Sequence, residues 1–161
     1  MSHAYLARWM PFESQQLFPV IARVEDYSQF LPLCKYSRVW SRTIGPDEIE
    51  RFQAELTIVY PKLAIYETFT SSVVADPYKL TVTASSRDRP VKHLDCSWIL
   101  HPAKGGTNIE MILDYAMASR TLQFLLLGLF DHVMRKIMAA FEERARSILS
   151  PGVMSWHLQN R

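Results

Sequence analysis

The most regular hydrophobic pattern of the sequence is an alternation of apolar and polar residues in the middle of the chain. Phe52, Ala54, Leu56 and Ile58 alternate with glutamine, glutamate and threonine residues. A period of two is typical of a strand with one buried face. Short breaks rich in proline, glycine and aspartate separate further candidate strands at regular spacing. The pattern predicts an antiparallel sheet whose strands are residues 4–9, 37–44, 52–60, 63–74, 78–84, 91–100 and 107–116.

Helical spacing of apolar residues precedes and follows this region. Behind a predicted N-cap at Ser14, apolar residues recur at three- and four-residue intervals over residues 17–24, which predicts a helix of about three turns. A second, short helix is expected over residues 26–31 and ends before Pro32. The longest helical pattern runs over residues 119–149 and predicts one continuous helix.

The order of these elements predicts an α+β fold. A curved antiparallel sheet of six to seven strands around the long C-terminal helix is expected, because each apolar surface then covers the other. Residues 1–149 are predicted to form a single domain and residues 150–161 a loose C-terminal tail. Such a sheet can enclose space between its concave face and the helix, and cavities of this kind bind apolar ligands.

Composition and motifs narrow the functional classes. The 161 residues include 18 basic and 16 acidic side chains, a net charge of +2, so the chain lacks the basic excess of a dedicated nucleic-acid binder. The motifs GxSxG, HExxH and GxGxxG and the P-loop do not occur, and the 5 histidines have no metal-ligand spacing. We therefore expect no catalytic residue and no metal site.

Cysteine usage and hydrophobicity indicate the compartment. Cys34 and Cys96 are far apart and form no CxxC motif, which favours a reducing cytosol. The N-terminal residues do not resemble a secretory or organelle signal. The longest apolar run, residues 124–130, is shorter than the roughly 20 residues that span a bilayer. Any membrane contact is therefore expected to be peripheral.

The segment that follows the first predicted helix resembles a known family. Residues 24–39, VEDYSQFLPLCKYSRV, are similar to the Val-Glu-x-Tyr-x-x-Phe-Leu-Pro-Trp-Cys-x-x-Ser-x-Val run of the coenzyme Q-binding, START-like proteins of the polyketide cyclase/dehydrase superfamily. Further matches to this family are Phe69-Thr70-Ser71, the spacing of Pro90, Leu94 and Trp98, and Phe141-Glu142-Glu143-Arg144-Ala145. The chain departs from the usual acidic, Trp and Phe residues of the family at Arg23, Leu33 and Val91.

The resemblance implies a helix-grip fold with a lipid-sized cavity. It also implies a non-enzymatic carrier or chaperone that binds a polyprenyl quinone, such as ubiquinone, and supports respiratory electron transport. Ubiquinone or a related lipid is then the bound ligand, and no other cofactor is expected. A second branch of the family consists of toxins that block the association of ribosomal subunits, and the superfamily includes polyketide cyclases, so both stay open as alternatives. The early first strand favours a bacterial source, and with it the bacterial cytoplasm or a peripheral position at the inner membrane.

The residues predicted to bind the ligand face the space between sheet and helix. Trp98, Met111 and Leu113 lie on the predicted inward faces of their strands. Met134 and Met138 would give the helix an adaptable wall, although methionine is also a common core residue. The full predicted set is Phe30, Leu33, Phe52, Leu56, Phe69, Trp98, Met111, Leu113, Phe130, Met134 and Met138.

The beginning of the long predicted helix is apolar around nearly its whole circumference. At about 100° per residue, Phe124 falls on the side later taken by Asp131, and Leu125 falls near His132. The core cannot cover both of these side chains. Phe124 and Leu125 are therefore predicted to form a patch that a dimer partner, an overhanging loop or a membrane surface covers.

Overall fold

Seven antiparallel strands form one curved sheet in the computed structural model, which describes residues 2–149. The strands are β1 (Ser2–Met10), β2 (Cys34–Ile44), β3 (Glu50–Tyr60), β4 (Ile65–Asp76), β5 (Thr81–Ser86), β6 (Val91–Ala103) and β7 (Gly106–Met117). Their spatial order is β1-β7-β6-β5-β4-β3-β2. From β2 to β7 each strand therefore pairs with the next along the chain, and β1 pairs with β7. The tail predicted over residues 150–161 lies outside the described residues.

Helices connect β1 to β2 and follow β7. They are α1 (Ser14–Ala22), a 3-10 helix (Val24–Gln29), α2 (Arg120–Leu127) and α3 (Phe130–Ile148), and a short 3-10 turn (Pro61–Leu63) joins β3 to β4. The chain has the predicted α+β helix-grip fold, in which the sheet curves around the C-terminal helices. Both apolar surfaces are thereby removed from water.

Ser14 differs from its predicted role as an N-cap. Glu13 occupies the cap position of α1 and makes no side-chain cap hydrogen bond. The Ser14 hydroxyl lies 2.7 Å from Thr107 Oγ1, which itself donates to the carbonyl of Phe12 at 2.7 Å. Ser14 and Thr107 are buried. These bonds tie the start of α1 to β7 and satisfy polar groups that would otherwise be buried without partners.

The two ends of the sheet are packed differently on the inner face. One end carries the turns from β2 to β3, from β4 to β5 and from β6 to β7, and its inward side chains are buried with those of α1 and α3. At the other end, inward side chains such as Phe69, Ala84 and Leu94 are only half-buried. Because protein interiors are close-packed, this contrast indicates empty space at that end. The closely packed end includes Leu17, Ile21, Phe52, Ala75, Val82, Leu100, Ile109, Met138 and Phe141.

The prediction of one continuous helix over residues 119–149 is wrong. Gly128 and Leu129 separate α2 from α3. The backbone N–H of Leu129 donates to the carbonyl of Leu126 at 3.0 Å, which is the tighter 3-10 spacing. Glycine weakens a helix by about 1 kcal/mol relative to alanine. Because of this break, α2 does not continue the helical phase of α3. α3 is amphipathic, whereas α2 carries apolar residues around nearly its whole circumference.

We expect Gly128→Ala to raise the free energy of unfolding by about 0.4–1 kcal/mol. Gly128 has a φ of −90° and a ψ of −6°, which alanine adopts readily, and an added Cβ would meet no atom within 4 Å. Denaturant unfolding measures the change. Gly106→Ala is a control of opposite sign, because its Cβ would lie 2.1 Å from the Met10 carbonyl oxygen. A Gly128→Ala protein less stable than the wild type would contradict this assignment.

Candidate ligand-binding site

A cavity of about 240 Å³ fills the loosely packed end of the fold, between the concave face of the sheet, α2 and α3. The half-buried inward residues Phe69, Ala84, Leu94 and Cys96 belong to its wall. Their side chains therefore face space instead of another side chain. Aliphatic and aromatic residues make up most of the wall, and such walls are suited to an apolar occupant.

Most of the residues predicted to bind a ligand lie together in the wall of this cavity. They come from the loop before β2, from four strands of the sheet and from the first turn of α3, which are distant in sequence but meet on the concave side. These residues are Leu33, Leu56, Phe69, Trp98, Met111, Leu113 and Phe130. Their direct contact with a ligand stays a prediction.

Met134 and Met138 do not line the cavity, in contrast to their predicted place. Both are buried in the hydrophobic core. The side of α3 that faces the cavity carries Val133 and Ile137, and each methionine is the next residue along the helix, about 100° further round. The helical phase of α3 therefore turns the methionines away from the cavity and into the core.

Phe30 and Phe52 also lie outside the cavity wall. Phe52 faces inward from β3 but belongs to the closely packed end of the sheet, where it is buried in the hydrophobic core. Phe30 packs edge-on against Phe141, with ring centroids 5.2 Å apart, and the guanidinium of Arg144 lies 5.2 Å from the Phe30 ring. Phe30 thus packs behind the wall residue Phe141 and does not face the cavity itself. The guanidinium of Arg144 also donates a hydrogen bond to Gln29 Oε1 at 3.1 Å.

An aromatic cluster closes the inner end of the cavity. The ring of Phe141 lies 5.0 Å from that of Trp98 and 5.2 Å from that of Tyr27, both edge-on, and all three residues contribute to the wall. The Tyr27 hydroxyl donates to the carbonyl of Ile21. Burial raises the pKa of Tyr27 well above its usual value, so this hydroxyl stays neutral and its proton is already engaged.

The sequence prediction missed a group of wall residues on α2 and at its end. Leu122, Leu126 and Leu129 line the cavity. Their spacing of four and three residues is the helical signal that could have identified them. Apolar residues on every side of α2 obscured this signal, because no polar face marked the inward direction.

The polar and titratable groups of the wall are few. Cys34 and Cys96 are part of it, and burial raises their pKa values to about 11 and about 12. Both thiols are therefore protonated at neutral pH and are poor nucleophiles. Tyr60 and Glu67 lie at the end of the cavity formed by the hairpin of β3 and β4.

The predicted patch at the start of the C-terminal helices divides in the structure. Phe124 is 76% exposed. Leu125 is half-buried and lines no part of the cavity. Leu127, which was not predicted, is 57% exposed. The exposed apolar surface of α2 therefore consists of Phe124 and Leu127.

Known proteins are similar to this chain in sequence and in fold. The family model described as polyketide cyclase / dehydrase and lipid transport matches residues 10–142. The mitochondrial coenzyme Q-binding protein of Schizosaccharomyces pombe is 30% identical over 142 residues, which cover 87% of this chain and 84% of that protein. The ribosome association toxin of Rickettsia prowazekii is 24% identical over 140 residues, which cover 87% of this chain and 93% of the toxin.

A solved structure supports the same assignment. The solution structure of an 18 kDa protein from Caulobacter crescentus superposes with a TM-score of 0.78 at 24% identity, over 92% of this chain and 98% of that protein. At this identity the likeness establishes the fold. Together with the match of the family model over most of the chain, it confirms the resemblance found in the sequence. The chain belongs to the polyketide cyclase/dehydrase and lipid-transport family.

Proposed function

We propose that the protein binds a polyprenyl quinone, ubiquinone or a close relative, as a carrier or chaperone that supports respiratory electron transport. The observation that carries this proposal is the cavity between the sheet and the C-terminal helices, whose wall is built mainly from aliphatic and aromatic side chains. Apolar contact over a large area is the main source of affinity for such a ligand. The relative named as a coenzyme Q-binding protein supports the choice of a quinone.

The chemistry of the wall favours binding over catalysis. An enzyme that cyclises a polyketide needs groups that move protons at the reacting atoms. The two thiols of this wall are held in their protonated form by burial, which raises their pKa, and the Tyr27 proton is held by the Ile21 carbonyl. The other two titratable groups of the wall, Tyr60 and Glu67, lie at the end of the cavity that the hairpin of β3 and β4 forms. We therefore propose a non-enzymatic role, with the quinone as bound ligand and no further cofactor.

The size of the cavity sets how much of the ligand is enclosed. Its volume of about 240 Å³ is below the range of roughly 300–1,000 Å³ for pockets that enclose drug-sized ligands. A quinone ring with the first part of its tail is the largest piece that we expect inside. The rest of a long tail leaves through the end of the cavity at Tyr60 and Leu33, which are partly exposed.

We place the protein in the bacterial cytoplasm, with a peripheral contact at the inner membrane. None of the helices over residues 2–149 is long and apolar enough to cross a bilayer. The ligand itself partitions into the bilayer, so a carrier has to meet that surface to load and unload. Relatives in Escherichia coli and Rickettsia prowazekii support the bacterial part of this placement.

The second candidate function is that of a ribosome-binding toxin. The observation that favours it is an aromatic and basic surface on the outer face of β2 and β4. The Lys35 ammonium lies 5.4 Å from the ring centre of Tyr36 and 5.7 Å from that of Tyr66, and the Arg38 guanidinium lies 4.7 Å from that of Trp40. Aromatic rings among cations are a common RNA-binding surface, and several relatives are named as toxins.

We expect Ala84→Phe to reduce quinone retention at least about tenfold, a loss of roughly 1.4 kcal/mol of binding free energy. Ala84 is a small residue of the cavity wall, and the larger ring would occupy the space that the ligand needs. Thr83→Phe is the matched control, because Thr83 is the neighbouring residue of β5 and faces solvent. Mass spectrometry of lipid extracts from the purified proteins measures retention.

Equal quinone content in the two variants, at similar melting temperatures, would show that the quinone does not bind in this cavity. A wild-type extract without any quinone, before and after incubation with ubiquinone, would reject the proposed function.

Replacing both thiols, with Cys34→Ala and Cys96→Ala, should leave quinone affinity within about twofold of wild type. The neutral thiols contribute apolar surface to the wall and no reactive group. Titration of the purified proteins with ubiquinone measures the affinity, and the melting temperature controls for the modest loss of packing. A stable double variant with a much lower quinone affinity would show that at least one thiol takes part in the function.

The ribosome candidate predicts that Tyr36→Ala combined with Tyr66→Ala abolishes co-sedimentation with large ribosomal subunits. Tyr78→Ala is the control, since Tyr78 is 71% exposed but lies in the turn after β4, at the other end of the sheet. Ala84→Phe should not change this binding, because the outer face is separate from the cavity. A wild-type protein that stays in the supernatant would reject the toxin function.

A further inference from the structure

The two sides of α2 face different surroundings. Leu122 and Leu126 line the cavity, while Phe124 and Leu127 are 76% and 57% exposed. Phe124 and Leu127 also form one side of a groove of about 320 Å³ between α2 and the adjoining ends of β6 and β7. One short helix therefore carries both a wall of the cavity and an outward apolar surface.

Cations surround this outward surface. Lys92 and Arg120 line the groove itself. The carbonyl of Pro90 accepts a hydrogen bond of 2.9 Å from the backbone N–H of Ala118, two residues before α2. Arg89, which precedes Pro90 in the sequence, is exposed. In the described part of the chain, Arg89, Lys92 and Arg120 make no salt bridge.

Acidic residues are scarce in the same region. The chain carries no aspartate or glutamate between residues 115 and 130, and Asp88 is the only acid between residues 87 and 92. The surface thus combines two large apolar side chains with an excess of unpaired positive charge. This is the combination found in segments that bind at the interface of anionic bilayers.

We propose that α2 docks on an anionic phospholipid bilayer, with Phe124 and Leu127 in the acyl region and Arg89, Lys92 and Arg120 at the lipid phosphates. Charge complementarity selects this occupant. A second copy of the chain that docked symmetrically would place the same three cations of both copies in one interface, and like charges at close range repel.

The docking surface lies at the cavity end of the sheet. Val91 pairs with Met117 beside the groove, and Tyr60 pairs with Ile65 where the hairpin of β3 and β4 turns. The directions of the strands place both pairs at the same end of the sheet, where the cavity wall is partly exposed. A docked α2 would bring this end of the sheet to the bilayer, so that a lipid passes between membrane and cavity without crossing water. This consequence rests on the proposed carrier function, whereas docking itself does not.

The test is co-sedimentation of the full chain with vesicles of equal parts phosphatidylglycerol and phosphatidylcholine. We expect binding that falls with salt and is absent with phosphatidylcholine alone, because the cations require anionic lipid. Phe124→Gln combined with Leu127→Gln should lower the partition coefficient at least about tenfold. Ile44→Gln is the matched control, since Ile44 is 66% exposed at the opposite end of the sheet, and it should bind as wild type.

A second variant isolates the electrostatic part. Lys92→Gln combined with Arg120→Gln should weaken vesicle binding and reduce its salt dependence. The docking proposal would be overturned if wild-type protein did not co-sediment with the anionic vesicles, or if the Phe124 and Leu127 variant bound them as strongly as wild type. A wild-type dimer that the same variant converts to a monomer would also overturn it, because the patch would then be an interface between copies.

The docking proposal and the carrier function fail separately. Quinone retention of the Phe124 and Leu127 variant in detergent should match wild type, because neither residue lines the cavity. Loss of vesicle binding with retained quinone supports docking as described. Vesicle binding by a wild-type protein that never retains quinone would leave the docking surface standing and remove the carrier function.

Discussion

Phe141 marks the boundary between the filled and the empty half of this fold. Its ring contacts those of Tyr27, Phe30 and Trp98, and it belongs both to the core and to the cavity wall. On one side of it, α1 and the C-terminal half of α3 supply enough side chains to pack the sheet. On the other side, α2, the start of α3 and the segment before β2 cover the sheet and leave space beside it. The curvature that grips the helix therefore leaves a cavity at this end.

The strands could be predicted from the sequence because alternate residues of a strand face opposite sides of the sheet, so that a two-residue period identifies the buried face. Residues Ala54 and Leu56 of β3 both face inward as the alternation indicates. The alternation does not report what lies opposite each inward residue. Phe52 and Leu56 carry the same sequence signal, yet one is packed in the core and the other faces the cavity. That difference depends on which helix covers the strand at that point, which only the tertiary structure determines.

The helices were harder to predict for a related reason. A single residue changes the direction of a side chain on a helix by about 100°, so an error of one position exchanges a wall residue such as Val133 for a core residue such as Met134. In α2 the apolar residues occupy all directions, and no polar face fixes the phase. The break at Gly128 was missed as well, because apolar residues continue on both sides of the glycine, at Leu127 and Leu129, and this pattern is typical of one helix.

The apolar residues on all sides of α2 are explained if the helix lies between two apolar environments, the cavity on its inner side and a bilayer on its outer side. Its inner leucines complete a cavity wall that α3 alone is too narrow to close, and its outer side chains have no partner within the described chain. In water such an outer surface carries a cost that a soluble domain normally avoids. The surrounding cations are what distinguish it from a simple packing defect, because they stabilise the one environment, an anionic bilayer surface, in which both the apolar residues and the charges are satisfied together.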